Sequence, residues 1–129
     1  NNAIDKLLYV SRLIAKNFSY HTPALYHHYQ QRFPDIFQSY FNQRAESVYN
    51  RIQENLVFGM QQGYYRNDLS VELVARGYIS RLIDLYNPVN FPAEKFSFDT
   101  FFNQMFETFV LSIVTEKGKY YWEERKEHH

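Results

Sequence analysis

A chain of 129 residues is one domain by size, long enough to enclose a hydrophobic core. Its 14 basic and 14 acidic residues balance to a formal charge of zero, so it exerts no general electrostatic pull on nucleic acid or an anionic membrane. It has no cysteine for a disulfide or thiolate metal site, no apolar run near the ~18 residues of a membrane span and no signal-like N-terminus, so the expected protein is cytoplasmic.

Four glycines and four prolines are too few for many short strands and tight turns, and an all-α fold is expected. The first helix is read over Ala3–Tyr20, where Ala3, Ile4, Leu7, Leu8, Val10, Ile14, Ala15 and Phe18 share one side. Thr22 before Pro23 is an N-cap followed by a proline at the first helical position, opening a short helix over Pro23–Arg32. Pro34 repeats the device and starts the longest helix, which runs to about Gln62. Its stripe is Phe37, Phe41, Ala45, Val48, Ile52, Leu56 and Gly59, and its length would be roughly 40 Å.

Gly63 can take the positive φ that ends a helix, and Asn67, Asp68 and Ser70 can each cap the next, read over Ser70–Tyr86. Two prolines mark the loop Asn87–Lys95. The last helix is expected from Ser97 to about Lys117, with Gly118 as its stop. The charged run Glu116–Glu127 reads as a solvated tail, and the terminal Glu127-His128-His129 resembles a purification tag.

The last two helices carry wide apolar faces. That width predicts a homodimer in which Ile79, Leu82, Tyr86, Phe102, Phe106 and Phe109 pack into a four-helix bundle with a second copy. The abundance of rings, 12 Phe and 12 Tyr, is explained by core packing or by a pocket for an apolar or aromatic ligand.

Motifs for chemistry are missing from the sequence. HExxH, GxSxG, P-loop and GxGxxG patterns are absent, and the adjacent His27-His28 diverge by about 100° on a helix and do not readily share an ion. Neither catalytic residues, a metal nor a cofactor is expected. The Tyr20–Phe33 region is the nearest thing to a helix-turn-helix, but Arg32 is its only basic residue, too few for phosphate contacts.

The run Gly59-Met-Gln-Gln-Gly63-Tyr-Tyr65-Arg66-Asn67-Asp68-Leu69 resembles a junction in the TetR family of bacterial transcription regulators. Also similar are Leu7–Asn17 with Thr22-Pro23-Ala24-Leu25, and the closing Glu116-Lys117-Gly118. The resemblance implies a five-helix C-terminal regulatory domain over residues 1–129, dimeric through its last two helices, that senses a small effector. DNA would be bound only by a helix-turn-helix head before Asn1, which this sequence lacks. Phe18, Tyr26, Phe41 and Tyr49 are the candidate pocket lining, with His27 as a polar anchor. The alternative is a stand-alone helical module that binds a partner protein through an aromatic surface.

Overall fold

Hydrophobic periodicity and helix caps set the order of elements in the computed structural model, which describes residues 2–19, 23–87, 89–92 and 94–126, without the side chains of 17–19, 23, 24 and 26. The helices are α1 (Ala3–Ser19), α2 (Pro23–Arg32), α3 (Pro34–Gln61), α4 (Val71–Asp84), α5 (Phe98–Ile113) and α6 (Glu116–Lys126). The fold is all-α. No strand occurs among the described residues, and the nearest thing to one is an isolated antiparallel bridge between Tyr65 and Val114.

Two of the expected caps are in place. The Ser70 hydroxyl accepts from the Leu73 amide at 3.3 Å, and the Ser97 hydroxyl accepts from the Thr100 amide at 3.2 Å. Each satisfies a donor that the first turn of a helix leaves open. Pro34 opens α3 as expected, but Phe33 before it caps nothing with its side chain. Helical bonding nearly continues through this corner, from the Phe33 amide to Tyr29 and from the Phe37 amide to Phe33. The proline has no amide to donate, so the chain bends there instead of continuing straight. The Thr22 cap lies outside the described residues.

The core forms where α1, α3, α4 and α5 meet. From α1 come Ala3, Ile4, Leu7, Leu8 and Ile14, and from α3 the segment from Val48 to Gly59. The first half of α3 buries no residue, so the helix runs out beyond the core with α2 beside it. Rings build the rest. Phe98, Phe102 and Phe106 stack along α5, and Tyr78 of α4 meets Phe109 with centroids 4.7 Å apart. Such pairs contribute about 0.5–1.5 kcal/mol beyond their buried area.

The C-terminus differs from expectation. Residues 116–126 form a sixth helix where the charge run suggested a solvated tail, and α5 stops at Ile113, four residues short of Lys117. The reason lies in two rings among the charges. Trp122 is buried edge-on against Phe106, with centroids 5.8 Å apart. The Tyr121 hydroxyl donates to Asp5 at 2.8 Å and accepts from Arg125 at the same distance, which ties α6 to the first turn of α1. Gly118 is therefore not a helix stop but the third residue of α6.

Candidate functional site

The α3–α4 junction is the most densely bonded feature of the chain. Gly63 has φ of +80°, its amide bonds to Met60, and the Tyr64 amide reaches back to Gly59 at 2.9 Å. This is the Schellman ending, in which a left-handed glycine satisfies the last carbonyls of a helix. The chain then runs alongside the α5–α6 corner. The Arg66 amide bonds to Ile113 at 2.8 Å, and the Thr115 amide bonds to Tyr64 at 2.9 Å.

Side chains close the arrangement. The Thr115 hydroxyl donates to Gly63 at 2.7 Å and accepts from the Gly118 amide, capping α6. Arg66 spans the end of α5, with Nη1 on the Ser112 carbonyl at 3.0 Å and Nε on Asp68 at 3.0 Å. The hydrogen bond from Arg66, and then its charge, hold the Asp68 carboxyl below its ordinary range. Lys117 bonds to the Gln62 carbonyl at 3.0 Å and lies over the Tyr64 ring.

Tyr65 carries the junction inward. Its ring packs so closely on Gly59 that a Cβ there would fall within the ring, and a Cβ at Gly118 would collide with the Tyr64 carbonyl. The Tyr65 hydroxyl donates to Asn55 Oδ1 at 2.6 Å, and Asn55 Nδ2 donates to the Ala3 carbonyl at 2.9 Å. Gln62 Oε1 takes the Ala3 amide at 2.8 Å. Both backbone groups of the first residue of α1 are thus held by the end of α3. Burial pushes the Tyr65 phenol well above its usual value, so it stays a neutral donor.

Outside this latch lies an open cleft of about 420 Å³, lined by Met60, Gly63, Tyr65, Arg66, Asn67, Asp68 and Thr115. Tyr65, Arg66, Asp68 and Thr115 among its lining are already committed to the latch, so the cleft has the character of a structural seam. No family model, curated protein or solved structure matches this chain. Function must therefore be argued from the residues themselves.

None of the described pocket candidates borders that cleft. Tyr49 is buried on α3 with the Arg76 guanidinium of α4 over its ring, 3.8 Å from the centroid. Phe41 is half-buried and stacks on Phe37 one turn earlier, with centroids 5.5 Å apart. His27 is half-buried on α2. The side chains of Phe18 and Tyr26 lie outside the described set. Among the described residues no group of three or more His, Asp or Glu stands close enough to hold a metal ion.

The six residues expected at a dimer interface all lie inside a single chain. Ile79, Leu82, Tyr86, Phe102, Phe106 and Phe109 are each less than 10% exposed. The wide face of α4 is covered mainly by α3 and that of α5 by α1, α4 and α6, so their width does not require a second copy. The sixth helix, absent from the sequence expectation, covers part of α5 with Trp122.

Sequence reasoning also missed Asn55, Ala3 and Thr115 as members of the latch. Asn55 left a signal. It is an amide on the buried side of α3, beside Ile52, Leu56 and Gly59, and a polar group in such a place needs a partner.

Proposed function

We propose that this chain is the effector-sensing and dimerisation module of a TetR-like one-component transcription regulator. The observation that supports this most is the latch. Gly59, Gly63, Tyr65, Arg66, Asp68 and Gly118 belong to two of the three stretches that carry the family resemblance, and all six take part in one connected set of contacts. That set holds the start of α1, the helix into which a preceding DNA-binding head would feed.

Sensing follows from linkage. A small apolar or aromatic effector seated among α1, α2 and α3 shifts an equilibrium between head spacings by its differential affinity for the two states. α3 transmits the change, because its far end holds Ala3 through Asn55 and Gln62. Phe41, Tyr49 and His27 are the described residues assigned to the effector.

The test is the reading frame upstream of Asn1. A basic helix-turn-helix segment there supports the regulator, and a start codon at Asn1 contradicts it. The second reading, a stand-alone interaction module, is favoured by one observation. Large apolar side chains stay exposed on α2 and the first half of α3.

A further inference from the structure

Several cations of this fold lie over aromatic rings, and one contact stands apart. Arg76 of α4 places its guanidinium 3.8 Å from the centroid of Tyr49, a ring of α3 that is only 8% exposed. Arg44 and Lys6 lie over rings too, but over exposed Tyr40 and half-buried Phe58. Arg125 and Lys117 already donate hydrogen bonds within the fold. Arg76 does not. Among the described residues neither its guanidinium nor the Tyr49 hydroxyl has a hydrogen-bond or ion-pair partner.

A guanidinium stacked on a ring has its plane fixed and its fork of N–H donors free at the edge. That geometry takes a carboxylate through two parallel hydrogen bonds. Beside it there is room for an apolar body. Phe41, Ala45 and Tyr49 recur at intervals of four, so they neighbour one another along α3, and the small Ala45 leaves a notch between two rings. Phe41 and Ala45 are half-buried, so the notch reaches the surface. On α4, nothing lies within 4 Å of a Cβ built at Gly77, the residue after Arg76. An apolar floor with a few uncommitted polar groups at one end is the usual division of a small-molecule site.

Two carboxylates stand nearby. Glu72 is one turn before Arg76 on α4, and Glu46 is nearly one turn before Tyr49 on α3. Both are exposed, so water and salt screen them. They weaken the pull on an anion without occupying the Arg76 fork.

We propose that the effector is an organic acid. Its apolar body rests on Phe41, Ala45 and Tyr49, and its carboxylate is held by Arg76, with the Tyr49 hydroxyl as a further donor. The inference rests on the effector-sensing reading above, gives that site a charge requirement and brings α4 into contact with the ligand.

Isothermal titration calorimetry of the whole chain tests it with benzoate, 3-phenylpropionate and octanoate, each beside its neutral amide. At least one acid should bind about tenfold or more tightly than its amide, with an affinity that falls as salt is added. Arg76→Gln should abolish the preference for the acid and leave the amide's affinity unchanged. Arg76→Lys should restore part of the preference, because it returns the charge without the fork. Glu72→Gln should tighten the acid alone, and Arg81→Gln should alter neither. Thermal melts show that each variant is folded, which is expected because these positions are exposed. An acid that binds no better than its amide, with both depending on Tyr49, overturns the charge requirement and leaves effector sensing standing. A preference for the acid that survives Arg76→Gln overturns the site. If neither acids nor amides bind, the inference and the sensing reading fall together.

Discussion

A methyl group added at Gly59 has nowhere to go, because the Tyr65 ring already fills its place. Gly59→Ala improves helix propensity, yet it should destabilise the fold by about 1–3 kcal/mol through overpacking. Gly77 in α4 is the counter-case. Nothing lies within 4 Å of a Cβ built there, so Gly77→Ala should stabilise the fold by about 0.5–1 kcal/mol. Urea titration of the two variants measures both, and a gain at both positions would contradict the packing of Tyr65. Tyr65→Phe removes the donor to Asn55 and leaves a buried amide oxygen short of a partner, which should cost about 1–3 kcal/mol. Burial also raises the phenols of Tyr65 and Tyr78 above their ordinary value of 10.0. The sign follows from that direction. Below the unfolded-state value neither group makes stability depend on pH, and above it the unfolded chain loses protons that the folded chain retains. Stability should therefore fall as pH rises beyond about 10, and the fall should be shallower in Tyr78→Phe.

At the scale of elements, most helices were legible because their signals are local. Ser70 and Ser97 cap where a short polar side chain precedes an apolar repeat, and Gly63 ends α3 where only glycine takes positive φ without strain. The sixth helix was not legible. Its residues are mostly charged, and its place depends on Trp122 finding Phe106 and Tyr121 finding Asp5, more than a hundred residues away in the second case. A contact at that separation leaves no trace in periodicity. Trp122→Ala should cost about 3–5 kcal/mol if α6 closes the core as described. A loss below about 0.5 kcal/mol in thermal or denaturant unfolding would return the segment to the status of a tail.

Across the whole molecule, the same limits explain which parts of the site could be read in advance. The junction motif was legible as a helix boundary, because Gly59, Gly63, Tyr65 and Arg66 occur together in sequence. Its partners at Ala3 and Thr115 come from distant parts of the chain and leave no local mark, whereas Asn55, one turn before Gly59, marks itself as an amide on a buried face. The breadth of α4 and α5 was visible, but a single sequence cannot say whether a second copy or the chain's own α1, α3 and α6 covers it. The two halves of the molecule now differ in kind. One is a ring-filled core locked by a latch, and the other is the exposed α2–α3 corner beyond it.

Thermal unfolding of the chain against a panel of small apolar and aromatic compounds is the sharpest check on effector sensing. A ligand at a hundred times its Kd stabilises the folded state by about 2.7 kcal/mol, a rise of several degrees in Tm. At least one compound should give a saturable rise that shrinks in Tyr49→Ala and Phe41→Ala and persists in Ile36→Asp. A panel that leaves Tm unchanged at every concentration, or a rise indifferent to Tyr49 and Phe41, would contradict a sensing site among α1, α2 and α3.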